Sequence, residues 1–163
     1  MSFPGAEPIV SQVLTALSSG LATALSALGT VSGVTVALSA PDADTGYWGY
    51  LTNPILLPSY PAIIVRRGPR SVVGEREVNG GYQLANELAV DIVLTGSDNA
   101  TVTLQMDRYV RAVTELLTAA GMLSAGQCDL VRVGYEEPQL TDRDSGDYLQ
   151  DVPGFFSVTT YEG

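Results

Sequence analysis

The side chains of this protein that could do chemistry are almost all carboxylates. Glu136, Glu137, Asp142, Asp144, Asp147 and Asp151 crowd one stretch near the C-terminal end. The run Asp142-Arg143-Asp144-Ser145-Gly146-Asp147 is similar to a calcium loop, because hard cations favour several oxygen ligands on a flexible turn. An EF-hand would place Gly at 147 and Glu at 153, where this chain has Asp147 and Pro153. Paired carboxylates could also share general acid and base work in a hydrolase. A solvated acidic loop is the third reading, and the poor match to the calcium pattern favours it.

The rest of the catalytic repertoire is thin. The chain has no His and no Lys, all 8 of its basic residues are Arg, and it has 1 Cys. His is the side chain that titrates near neutrality without perturbation, and Lys supplies amine nucleophiles and phosphate contacts. A Ser-His-Asp or Cys-His arrangement is therefore impossible. Gly68 to Gly74 only superficially resembles a phosphate-binding loop, which needs its Lys. A zinc site needs several Cys or His ligands. Cys128 opens a predicted strand with no basic neighbour in sequence, which describes an inert, partly buried thiol. One Cys cannot form an intramolecular disulfide and fits a reducing cytoplasm. The expectation is a protein without cofactor or metal, and not an enzyme.

Two features read better as contact surfaces. Tyr47-Trp48-Gly49-Tyr50 lies in a proline-bounded loop and holds the only Trp. Large aromatics on loops anchor interfaces because they bury much area at little entropic cost. The competing reading is that this loop folds back to cap its own core. Arg66, Arg67, Arg70 and Arg76 are the only basic concentration, around a hairpin at 67–78. They are either solvated hairpin charges or a patch that pairs with acidic loops, Asp142, Asp144 and Asp147 among them, of an identical neighbour. Opposed patches of this kind suit a head-to-tail contact that closes into a ring.

The elements that must position these residues follow from periodicity. Val10, Val13, Leu14, Leu17, Leu21, Leu25 and Leu28 recur at three- and four-residue steps, which predicts a helix over 8–28. Its other face is Ser, Thr, Ala and Gly20, with no charge. That face reflects either low-charge composition or close approach of a neighbouring subunit. Its Ser and Thr content argues against a membrane span, and the lack of a basic leading segment argues against a secretory signal. A short strand is expected at 34–38, a loop at 40–60 and a buried strand at Tyr60–Arg67. Ser71–Val78 and Tyr82–Thr95 flank Asn79-Gly80-Gly81, a hairpin signal. A second helix is capped by Asp98 or Asn99 and ended by Gly121, with Val102, Met106, Tyr109, Val110, Val113, Leu116 and Leu117 inward. Asp107, Arg111 and Glu115 form its solvated face. Cys128–Tyr135 and Phe155–Tyr161 are closing strands with a loop at 136–151 between them. The predicted fold is α+β: a mainly antiparallel (mixed) sheet, two principal helices packed on it and a long β-hairpin, in one domain spanning 1–163.

The whole chain carries a net charge of −10. Such a surface repels phosphate backbones, which disfavours wrapping DNA or RNA by charge neutralisation and leaves open a role in which DNA slides past without sticking.

The order of these elements resembles the tail terminators (tail completion, minor tail protein U-like proteins) of long-tailed bacteriophages. The resemblance covers nearly the whole chain. It rests on the uncharged helix IVSQVLTALSSGLATALSAL, the strand SYPAIIVRR, the hairpin ending NELAVDIVLTG, the helix TVTLQMDRYVRAVTELL and the strands CDLVRVGYEEPQL and PGFFSVTTYE. It implies a non-enzymatic virion protein of the tail or neck, assembled in the host cytoplasm. Members of that family form hexameric rings that cap the tail tube and present a docking surface to the head connector. The implied partners are further copies of the chain, the tail tube protein and a connector or neck protein, with DNA passing through unbound. A head-completion or connector-neck protein is the alternative within the same class, and a carboxylate-based or calcium-binding enzyme the alternative outside it.

Overall fold

The computed structural model describes residues 8–50, 52–67, 76–78, 81–119, 128–143 and 145–162. Helix α1 (Pro8–Ala27) forms as the apolar spacing requires. Val13, Leu14, Leu17, Leu21 and Leu25 are buried, while Thr15, Ser19, Ala22, Thr23 and Ser26 face outward. On its uncharged side, Ser18 and Ser19 donate their hydroxyls to the Thr15 carbonyl at 3.2 and 2.7 Å. By length and composition Ile9–Ala27 could cross a membrane. Its apolar stripe instead packs on the second helix and the sheet, as the core helix of a globular fold does.

A small hairpin follows, β1 (Thr30–Val31) with β2 (Val34–Thr35). Ser32 and Gly33 turn it with φ of 51° and 78°, the left-handed region that glycine enters without penalty. The expected strand at 34–38 is thus shorter. Val36 goes into the core and its N–H bonds the Gly29 carbonyl, outside any ladder.

The main sheet has seven strands, with β3 (Tyr47–Trp48), β4 (Ala62–Arg67), β6 (Gly81–Gly96), β9 (Tyr148–Glu162) and β7 (Cys128–Tyr135) adjacent in that order. The short β5 (Arg76–Val78) also pairs with β6, and β8 (Gln139–Asp142) with β9. Every pairing in it is antiparallel except β3 with β4. The backbone is carried by β6 and β9, which run opposite each other from Tyr82↔Glu162 to Gly96↔Tyr148.

Helix α2 (Asn99–Leu117) starts at Asp98, whose carboxylate accepts the Thr101 hydroxyl at 2.6 Å. Both helices lie on one face of the sheet, over Ile63, Val65, Leu88, Val90, Ile92, Leu94, Val152 and Phe156. Gln150 ties the sheet to the helix, donating to Asn99 Oδ1 at 2.9 Å and Thr103 Oγ1 at 2.8 Å. The other face carries a smaller cluster, Leu57, Ala62, Ile64, Val93 and Leu149, with Trp48 and Tyr60 against it. A 3-10 turn at Pro54–Leu56, not an α-helix, lies in the loop that covers it.

The architecture is α+β with a mostly antiparallel, mixed sheet, as the periodicities predict. Two boundaries differ. The stretch 136–151 is not a loop throughout: β8 pairs with the start of β9, and only a short turn at 143–147 separates them. The predicted strand Phe155–Tyr161 is also much longer at its beginning. Leu149 and Val152 are buried on opposite faces of β9, and the polar Gln150 and Asp151 between them disguise that alternation. Gly121 and the turn at Asn79-Gly80 lie outside the described residues.

Candidate functional site

Of the two aromatic readings, the structure shows the loop folding onto its own core. Asp42 starts a turn by accepting the Asp44 and Thr45 amides at 2.9 and 3.0 Å, which holds its carboxyl below the usual carboxylate range. That turn delivers Tyr47 and Trp48 beside Ile63 and Ile64. Tyr47 is buried in the main core, where desolvation pushes its phenol up to about 12. Trp48 is half-buried over the second face, donating to the Thr45 carbonyl at 3.1 Å. Tyr50 stands edge-on to Trp48, with ring centres 5.7 Å apart, and is 40% exposed. With Tyr47 in the core, Tyr50 and the edge of Trp48 are what this trio offers an outside partner. Ile55 and the 77% exposed Leu56 extend the same surface.

The basic residues do not share one environment. Arg66 is half-buried on the second face of the sheet, its Nε 3.5 Å from Asp91 Oδ2. Arg67 ends β4 opposite Leu88, and Arg76 begins β5 opposite Gln83. Arg70 lies outside the described residues.

The acidic group also divides. Asp142 is exposed at the end of β8, and Asp147 closes the following turn by accepting the Arg143 amide at 2.9 Å through its backbone carbonyl. Gly146 makes that turn possible with φ of 84°. Asp144 lies outside the described residues. The calcium-like spacing is therefore that of a β-hairpin turn, and among the described residues no three acids, His or Cys are placed to share a metal ion.

Asp151 belongs elsewhere. It pairs with Val93 on β6, one pleat along from Asp91, which pairs with Pro153. The alternation of β6 puts Asp91 on the same face as Val93, with Arg66 on the neighbouring strand. Asp91 is only 6% exposed, and Asp151 is half-buried. Desolvation pushes the Asp151 carboxyl up to about 7; the charge of Asp91 pushes the same way, and Arg66 opposes both. Burial likewise raises Asp91, with the Arg66 guanidinium opposing and Glu136 adding a smaller upward push. Among the described residues, Asp91 Oδ1, Asp151 Oδ1, Glu87 Oε1 and Arg66 Nε are buried without a hydrogen-bond partner.

Asp91 and Asp151 are the two carboxyls, among the described residues, that burial raises. The expected loop at 136–151 groups Asp151 with the turn acids, whereas β9 carries it to the second face of the sheet near Asp91, a residue that the spacing does not single out. One signal was present: in LAVDIVLTG a single acid interrupts an apolar strand, and a buried charge normally has a partner. Chemically, two raised carboxyls beside one guanidinium can hold or release a proton or accept a cation. They lie on a sheet face and not in an enclosed cleft.

No family model and no curated protein sequence matches the chain. Among solved structures, a chain of the virion of a native gene transfer agent particle is similar at 17% identity. The match covers 93% of this chain and 98% of that one with a TM-score of 0.40, a likeness too loose to carry a functional argument.

Proposed function

We infer that this protein is a structural component of a long-tailed phage particle, acting as the tail terminator. In this reading copies of the chain close into a hexameric ring that caps the tail tube and offers a joining surface to the head connector. The observation that carries the reading is the element order: an uncharged helix, a strand, a long hairpin, a second long helix and closing strands, folded with both helices on one sheet face. Those are the elements on which the resemblance to tail terminators rests. Charge supports it as well. Six copies at −10 each would line a passage with negative potential, past which DNA moves without binding.

The test is assembly on a tube. Purified protein is mixed with terminator-deficient tail tubes and imaged by negative stain, while light scattering follows the protein alone across concentration. A ring of about six times the 17.1 kDa subunit mass at the tube end is the expected result. Binding to the head connector but never to tubes would instead assign the chain to the neck. A strict monomer under every condition, tubes included, would sink both.

A further inference from the structure

On the second face of the sheet, two adjacent carboxyls lack the counter-charge that their burial demands. Asp91 sits on β6 between Ile64 of β4 and Pro153 of β9, and only 6% of it is exposed. Asp151 is half-buried and pairs with Val93, two positions from Asp91 on the same side of β6. The two acids are therefore diagonal neighbours across one ladder, with Cβ atoms roughly 7 Å apart. One oxygen of each is buried without a hydrogen-bond partner. Arg66 is ion-paired with Asp91 alone among the described residues, and its Nε stands 3.5 Å from Oδ2 without a hydrogen bond. Glu136 adds a further negative charge near Asp91. Desolvated carboxylate oxygens left unserved are costly, so a cation or a set of donors normally meets them. Both helices lie on the opposite face.

We propose that Asp91 and Asp151 bind one partly hydrated divalent cation on this face. A metal ion that takes one oxygen of each, at bond lengths of about 2.1–2.5 Å, spans a diagonal pair of this kind. The two acids border the apolar cluster of Ile64, Val93 and Leu149, where a low dielectric strengthens their hold on a small ion. A long side chain from a partner would have to enter among those residues, whereas an ion needs only the open side of Asp151. Gln139 stands opposite Asp151 on β8, exposed and on the same face, so its amide carbonyl can supply a third oxygen. Among the described residues no third acid completes the shell. Water fills the remaining positions, as it does around magnesium ions held by one or two carboxylates. The site is separate from Asp142 and Asp147, the acids whose spacing is similar to a calcium loop.

The experiment uses the whole chain at pH 8, with MgCl2 and CaCl2 as separate probes. Each is compared with NaCl of equal ionic strength, because any salt screens a chain of charge −10. The variants are Asp151→Asn and Asp91→Asn, with Asp142→Asn and Asp107→Asn as controls at exposed positions. At about 10 mM, one divalent salt or both should raise the wild-type melting temperature by about 3 °C or more beyond NaCl, as a Kd of about 1 mM requires. Without divalent ions Asp151→Asn should melt at or above wild type. With them it should lose the rise, and at least tenfold in affinity by titration calorimetry, while both controls keep it. A residue serving only the fold would not raise stability while abolishing the response to an ion. Manganese locates the ion: it should broaden the amide NMR signals of Asp91, Val93, Asp151 and Gln139 before those of Asp142 and Asp147. No rise beyond NaCl in wild type overturns the proposal, and so does an equal rise in folded Asp151→Asn. Broadening that starts at Asp142 and Asp147 overturns it as well. Should Asp91→Asn fail to fold once Arg66 loses its partner, Asp151→Asn decides alone. None of these outcomes depends on whether copies of the chain form a ring.

Discussion

At the scale of single residues, the informative groups are charges buried where a strand should be apolar. Asp151 has a folded value near 7 against an ordinary 3.8. Between those values the folded chain holds a proton that the unfolded chain has released, so this group's contribution to stability falls as pH rises from about 4 to 7. Above pH 7 both states are ionised, and the penalty is constant. Asp151→Asn should therefore flatten the decline and stabilise the isolated protein at pH 8 by about 1–2 kcal/mol once solvent screening of this half-buried site is allowed for. Denaturant melts of both proteins at pH 5 and pH 8 check this. Parallel curves for the two proteins would count against it. Arg108 is the opposite case, a buried charge with good partners. It donates to the Leu28 carbonyl at 2.6 Å and the Val34 carbonyl at 3.2 Å, tying the end of α1 and the β1–β2 hairpin to α2. Arg108→Ala should cost about 2–4 kcal/mol in chemical denaturation, because two carbonyls lose charged donors. Periodicity gave no hint of that role, since Arg108 lies beside the inward stripe of α2 and its partners are distant in sequence.

At the scale of elements, small residues set how closely pieces approach. A Cβ on Gly20 would lie 2.8 Å from Leu116 Cδ1, so the uncharged helix uses this glycine against its own α2. The alternative of a small-residue contact with a neighbouring subunit does not apply at that position. Gly154 is more constrained. A Cβ there would meet Tyr135 Cε1 at 2.5 Å, and that ring is held edge-on to Phe156 and bonded to the Thr114 hydroxyl at 2.9 Å. Gly154→Ala should therefore destabilise by about 1–3 kcal/mol, as overpacking does, with the loss visible in thermal melts. A neutral result would mean that the ring swings away freely. Both long helices and the strands Tyr60–Arg67 and Cys128–Tyr135 were legible because their apolar spacing repeats over enough residues. The start of β9 was not, because the polar pair Gln150 and Asp151 and the following Pro153 interrupt its apolar positions and resemble a loop. The parallel pair of β3 with β4 could not be read from two residues, since its register comes from the Asp42 turn and Ile63.

At the scale of the whole molecule, the one-sided helix layer and the net charge govern what the protein can meet. If copies assemble through arginine–carboxylate contacts, association should weaken as salt rises, because exposed ion pairs are screened within about a nanometre at physiological ionic strength. Sedimentation across a salt series measures this. Tighter association at high salt would point to an apolar contact through Tyr50, Ile55 and Leu56 instead.

The sequence by itself determined the fold class, the position of both helices and the poverty of catalytic groups, because those depend on local periodicity and on residue types that are simply present or absent. Only the tertiary structure decided which acids matter. A carboxylate becomes unusual through what surrounds it, and Asp91, Asp151 and Arg66 meet only when β4, β6 and β9 pair in one register. The same pairing left Asp142 at a solvated strand end and took Tyr47 out of solvent, distinctions that no spacing along the chain encodes.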